Sequence, residues 1–198
     1  MSMRNIFIAC DTSSIKTVKK IINQSQTKLN GYQIGYKFGL EFFYSKEGRK
    51  FIEKSKVKNL WLDTKIFDIP NTSFAAIKSL KDLKNISYIT VHMSGGIEML
   101  KAIKKATKKY NKKLKVLGVT ILTSFTNSSI KKVGHTKSVN DLVKKQVLLA
   151  RNAKLDGVVC SAHEIKTVKK ISKRMEIITP GIRLEGDKLN DQKRVSSP

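Results

Sequence analysis

The segment Trp61-Leu62-Asp63-Thr64-Lys65-Ile66-Phe67-Asp68-Ile69-Pro70-Asn71-Thr72 carries the most informative charges in the chain. Asp63 and Lys65 stand two apart, so an extended strand points both to the same side. Asp68 follows on the loop, and Pro70 constrains the turn into the next helix. Lys37 ends the preceding apolar run, and neighbouring strands lie about 4.8 Å apart. The spacing therefore predicts an alternating cluster of Lys37, Asp63 and Lys65, with Asp68 as a fourth member and Asp11 added from the first run. Alternation keeps each group ionised despite partial burial, because each faces opposite charge. Such a set is either a salt-bridged rim or a site that works by charge. Buried ion arrays are costly to assemble and tend to mark function, which favours the second reading.

The elements that must position these charges are short apolar runs alternating with amphipathic stretches. Strands are predicted at residues 6–10, 33–37, 60–63, 88–92, 116–120, 157–160 and 176–179, a spacing typical of βα units. Between them, apolar residues fall on single helical faces: Ile15, Val18, Ile22 and Leu29; Phe74, Ile77 and Leu80; Met99, Ala102, Ile103 and Ala106; Val139, Leu142, Val143, Ala150 and Ala153; Ile165, Val168 and Ile171. The opposite faces are rich in lysine, as an outer ring of helices facing water requires.

A (β/α)₈ TIM barrel fits this α/β series better than a doubly wound sheet. Polar residues close most strands: Asp11, Lys37, Asp63, Lys65, His92, Thr120 and Thr123. A barrel draws its site from the C-terminal ends of many strands. A doubly wound sheet uses one switch point, often with a glycine-rich first turn. Here the first turn is Asp11-Thr12-Ser13-Ser14, which reads as a helix N-cap. We expect residues 1–198 to form a single barrel domain, truncated before its eighth strand.

Composition narrows the partners. Forty Lys and Arg against 15 Asp and Glu give a net charge of +25. The basic residues are nearly all lysine and lie along every helix, without the clustered arginine and stacking aromatics of nucleic-acid sites. No nucleic-acid partner is expected, although a positive field helps capture an anionic substrate. No apolar run approaches the roughly 18 to 20 residues of a membrane helix, and residues 1–8 lack a secretory pattern. A cytoplasmic protein with no membrane partner follows. Cys10 and Cys160 read as small buried hydrophobes. His92 reads as a hydrogen-bonded rim residue, His135 and His163 as surface or loop residues, and Trp61 as packing. Neither histidine nor cysteine spacing suggests a metal site.

Residues 63–72, Asp-x-Lys-x-x-Asp followed by Ile-Pro-Asn-Thr, resemble the signature of the orotidine 5'-phosphate decarboxylase family. The resemblance runs along the chain through Ile8-Ala9-Cys10-Asp11, Tyr36-Lys37-Phe38-Gly39, Thr90-Val91-His92 with Gly95-Gly96, and Val119-Thr120-Ile121-Leu122-Thr123-Ser124. It continues through Val158-Val159-Cys160-Ser161, Thr179-Pro180-Gly181-Ile182-Arg183 and Asp191-Gln192-Lys193-Arg194. It implies decarboxylation of orotidine 5'-phosphate to uridine 5'-phosphate, with neither cofactor nor metal. By that resemblance Lys65 donates the proton and Asp63 lies near the departing carboxylate. Lys37 and Asp68 hold the array, and Lys37 and Asp11 contact the ribose. Asp68 and Thr72 come from the second subunit of a homodimer. Thr123 and Ser124 lie beside the pyrimidine, and Arg183 and Gln192 belong to the phosphate end. The chain departs from the family in having no eighth strand with its phosphate-gripping Gly-Arg pair. Two other readings stay open: a magnesium-dependent sugar-phosphate enzyme of the same barrel group, and an inactive truncated relic.

Overall fold

Each predicted apolar run becomes a strand, and each strand pairs with the next in the chain. The computed structural model describes residues 4–182, 194 and 196. Its strands are β1 (Arg4–Ala9), β2 (Tyr32–Phe38), β3 (Leu60–Ile66), β4 (Ile86–His92), β5 (Lys115–Val119), β6 (Gly157–Val159) and β7 (Glu176–Ile178). All are parallel and stand in sequence order, so the sheet curls as an incomplete (β/α) barrel whose two edges, among the described residues, are β1 and β7. Parallel neighbours require crossover connections. These are supplied by α1 (Ile15–Gln24), α2 (Leu40–Tyr44), α3 (Gly48–Lys54), α4 (Pro70–Ser79), α5 (Gly96–Tyr110), α6 (Asn127–Lys132), α7 (Val139–Asn152) and α8 (Ile165–Ser172).

Local chemistry sets the helix starts. Ser14 caps α1, its side chain accepting the Thr17 N–H at 3.2 Å, and Pro70 opens α4 at a position where its missing N–H costs nothing. Leu29 is a correction to the expected α1 face. The helix ends at Gln24, and Leu29 lies beyond it, exposed, in a bridge to Tyr32. The short helices α2, α3 and α6 were not anticipated, because five to seven residues are too few to show an apolar period.

Strand alternation divides the core in two. Leu60 and Leu62 face outward and pack beneath the helices with Ile89, Val91, Met99, Ile103 and Val143. Trp61 faces inward with Tyr88, Leu117, Val119 and Val159. Phe7 sets its ring edge-on to Trp61 at 5.1 Å and to Tyr88 at 5.3 Å, so Trp61 is packing, as expected. Polar contacts continue this interior away from the C-terminal rim. Asn5 of β1 donates to the Tyr88 hydroxyl at 3.1 Å, and that hydroxyl donates to Glu176 of β7 at 3.0 Å, with Lys115 paired to the same carboxylate. Both cysteines are free and buried. Burial pushes the Cys10 thiol up to about 11 and the Cys160 thiol up to about 12, which leaves them unreactive.

Gly35 is required by close packing of β1, β2 and the approach to β3. A Cβ there would lie 2.5 Å from the Asn59 carbonyl oxygen and 2.6 Å from the Phe7 ring. We expect Gly35→Ala to destabilise the fold by about 1 to 3 kcal/mol through overpacking. Thermal unfolding of parent and variant checks this, and an unchanged midpoint would show that Phe7 and the β2–β3 contact yield freely.

Candidate active site

The predicted charges converge at the C-terminal rim because β1, β2 and β3 are adjacent and in step. Ala9 pairs with Lys37 and Phe38 with Leu62, which brings Asp11, Lys37 and Asp63 to one level. The Lys37 ammonium lies 3.0 Å from Asp11 Oδ1 and 3.6 Å from Asp63 Oδ2, and the Lys65 ammonium lies 2.9 Å from the same Asp63 oxygen. The order Asp11–Lys37–Asp63–Lys65 alternates in sign. Asp63 and Lys37 are the deepest members, their side chains 13% and 17% exposed, whereas Asp11 is 63% exposed. Each buried charge is thus compensated by a neighbour of opposite sign.

Asp63 and Lys65 meet by a route that strand alternation does not describe. Leu62 pairs with Ile89 and Ile66 with Val91, so Asp63, Thr64 and Lys65 together stand opposite Thr90 alone. Lys65 has φ +47°, a left-handed conformation uncommon for a residue with a Cβ. The bulge re-aims the Lys65 side chain onto Asp63, as bulges near sites commonly do. Thr90 spans it. Its hydroxyl accepts the Lys65 backbone N–H at 3.0 Å and donates to Asp63 Oδ1 at 2.9 Å. Thr90 had no role in the sequence reading beyond its place before Val91-His92, since spacing carries no sign of a bulge.

The remaining expected residues divide by position. Thr123 joins Asp11, Lys37, Asp63 and Lys65 in lining a cavity of about 970 Å³ that runs from this rim down along β1 and β7, past Phe7 and Ile177 to Arg4. Ser124 follows Thr123 and is exposed. Asp68 and Thr72 are exposed too, and Asp68 accepts its neighbouring Ile69 N–H at 2.7 Å. Neither joins the array within its own chain, and the flanking Phe67 and Ile69 are 63% and 67% exposed. Arg183 and Gln192 lie outside the described residues. Arg194 ends the Asp191-Gln192-Lys193-Arg194 segment of the family resemblance. Its guanidinium donates to the Ile121 and Leu122 carbonyls, both at 3.0 Å, and pairs with the buried Glu164. Burial pushes the Glu164 carboxyl above its ordinary value, with Arg194 pulling the other way.

An ammonium facing a cavity can deliver a proton or hold an anion, and the carboxylate beside it repels a second negative charge. His92 borders this pair. Its Nδ1 accepts the Ser94 N–H at 3.3 Å, and the Phe67 ring lies 5.5 Å away. Burial first, then the Lys65 ammonium, hold the His92 imidazole below its ordinary value. The unfolded chain therefore takes up this proton before the folded one. The stability associated with neutral His92 is complete above about pH 6.5 and is lost as pH falls through and below that value. We expect the urea midpoint to fall between pH 7.5 and 5.5, and to fall less steeply in His92→Gln. Equal slopes would mean that His92 is not the group responsible.

Comparison with known proteins identifies a family and a shared fold. The model for the orotidine 5'-phosphate decarboxylase / HUMPS family matches residues 4–198. An orotidine 5'-phosphate decarboxylase of Buchnera aphidicola subsp. Baizongia pistaciae is 38% identical, covering 98% of this chain and 81% of the relative. One from Malacoplasma penetrans is 37% identical, covering 100% and 85%. Among solved structures, the orotidine 5'-phosphate decarboxylase of Lactobacillus acidophilus superposes with a TM-score of 0.80 at 29% identity, covering 91% of this chain and 82% of that one. The Methanocaldococcus jannaschii enzyme, solved with the inhibitor BMP, gives 0.72 at 26% identity, covering 96% and 83%. By the match over residues 4–198 and the shared fold, the chain belongs to the orotidine 5'-phosphate decarboxylase / HUMPS family.

Proposed function

We propose that this protein decarboxylates orotidine 5'-phosphate to uridine 5'-phosphate and carbon dioxide, the last step of de novo UMP synthesis, in the cytoplasm. The observation that carries the reading is the Lys37–Asp63–Lys65 array opening on the rim cavity. In this reaction the bond from the sixth ring carbon to the carboxylate breaks, and its electron pair stays on that carbon. No adjacent π system absorbs the charge, so the site must stabilise it electrostatically and supply a proton. The Lys65 ammonium does both and becomes a neutral amine, which regains its proton from solvent. Asp63 sits beside the departing carboxylate and disfavours the ground state. Lys37 holds Asp63 and, with Asp11, meets the ribose. Thr123 and Ser124 border the pyrimidine. Arg183 and Gln192 take the phosphate, whose remote binding energy organises the reacting end.

Asp68 and Thr72 act in the neighbouring site of a homodimer. Their exposure, together with that of Phe67 and Ile69, supports this, since an apolar rim around an outward carboxylate suits a subunit contact. The magnesium-dependent reading is disfavoured by the pairing of both Asp11 and Asp63 with lysine, because those ammonium groups compete with a divalent cation for the same oxygens.

Lys65→Ala is expected to lower turnover by on the order of 10²- to 10⁴-fold or more with the fold intact, read from the loss of orotate absorbance. The parent is expected to keep its rate in EDTA. A variant within tenfold of the parent would remove Lys65 from the role, and a rate abolished by EDTA and restored by magnesium would favour the other reading.

Mixing tests the shared site. Chains carrying Lys65→Ala and Asp68→Ala, each inactive alone, regain on the order of a quarter of full activity once heterodimers form at random, because each heterodimer holds one intact site. Proven heterodimers without recovery would place Asp68 in its own subunit's site.

A further inference from the structure

Thr90 is fully buried on β4, directly beneath the two charged groups assigned to the reaction. The β3 bulge removes the Lys65 N–H from the strand ladder, and a buried donor without a partner is costly. The Thr90 hydroxyl takes that N–H at 3.0 Å and commits its own hydrogen to Asp63 Oδ1 at 2.9 Å. A hydroxyl used in both directions has one orientation. Asp63 Oδ1 is thereby tied to the barrel wall, and Oδ2 is left for the Lys65 and Lys37 ammonium groups at 2.9 and 3.6 Å. The same side chain fixes the backbone of the expected proton donor and the rotation of the carboxylate it pairs with. Ile89 and Val91 on either side of it in sequence face the helices, so Thr90 stands on the inner face of β4, the face that carries Tyr88.

We propose that Thr90 is a positioning residue for decarboxylation, holding Asp63 and Lys65 in register through its hydroxyl without touching substrate. This rests on the decarboxylase reading. A side chain of this kind sets how well the reacting groups are aimed and leaves the distant phosphate contacts alone, so its loss falls mainly on kcat and leaves KM nearly unchanged.

The test compares the parent with Thr90→Val, nearly isosteric but without the hydroxyl; Thr90→Ser, which keeps it; and Thr90→Ala, a second hydroxyl-free variant should the valine fail to fold. Steady-state decarboxylation of orotidine 5'-phosphate and amide hydrogen exchange at Lys65 are measured on each. The hydroxyl-free variants are expected to lose kcat by on the order of 10- to 100-fold at nearly constant KM, with faster exchange at the Lys65 amide. Thr90→Ser is expected to restore both. A serine variant as impaired as valine and alanine, a loss confined to KM, or an unchanged kcat in a folded hydroxyl-free variant would each overturn the proposal while leaving the decarboxylase reading in place. A parent inactive on orotidine 5'-phosphate would overturn that reading and the proposal with it.

Discussion

The rim of this barrel depends on one carboxylate. Asp63 takes two ammonium groups on one oxygen and a hydroxyl on the other. Without it, Lys37 and Lys65 would face each other across a partly dehydrated pocket with nothing between them. Removing one partner from a buried ion arrangement leaves an uncompensated charge, typically costing about 3 to 5 kcal/mol. The array also explains why Asp11 tolerates its exposure: it completes the pairing of Lys37 from the outer side, where water shares the work. Compensation therefore runs inward from a hydrated carboxylate to a half-buried lysine in contact with the cavity.

Only adjacency of parallel strands brings these charges together. Asp11, Lys37, Asp63 and Lys65 are 26, 26 and 2 positions apart in the chain. A sheet in sequence order sets the ends of β1, β2 and β3 side by side, and in a parallel sheet every strand presents the same end to one rim. The division of the interior serves the same purpose. Phe7, Trp61 and Tyr88 fill it below, and the Asn5–Tyr88–Glu176 contacts join β1 to β7. The Asp11–Lys37–Asp63–Lys65 array occupies the level above. The net charge of +25 adds a long-range field that draws anions toward such a rim, an effect that weakens with salt.

Sequence patterning made the strands legible because each is a short apolar run between polar breaks, and all seven are where those runs fall. The helices α1, α4, α5, α7 and α8 were legible by their apolar faces, while α2, α3 and α6 are shorter than the pattern needs. Leu29 matched the period of α1 by coincidence, since periodicity cannot see the helix end at Gln24. At the rim, the pairing of Asp63 with Lys65 was foreseen, but on the geometry of a regular strand. The chain reaches it through a three-against-one bulge and a left-handed lysine. Residue spacing encodes which groups are near one another. It does not encode the local departure from regular backbone that aims them, and so it gave Thr90 no role.

That departure is itself informative. Among the described residues, four non-glycine positions have positive φ: Asn59, Lys65, Lys154 and Lys173. Lys154 follows the end of α7, where a positive φ is ordinary, whereas Lys173 caps α8 with φ 54° and ψ −107°, at a chain reversal outside any strand. Asn59 precedes β3, and asparagine tolerates this region. Lys65 alone lies inside a strand. A side chain in that conformation costs roughly 1 to 2 kcal/mol, and an interrupted ladder adds to it. The surroundings offset this with the Thr90 hydrogen bond, worth about 1 kcal/mol, and with the Asp63 pairing. A fold seeking stability alone would continue the strand. Retaining a strained lysine there, with a buried hydroxyl to hold it, supports the role proposed for Lys65, because strain of this kind clusters where side chains are aimed for chemistry.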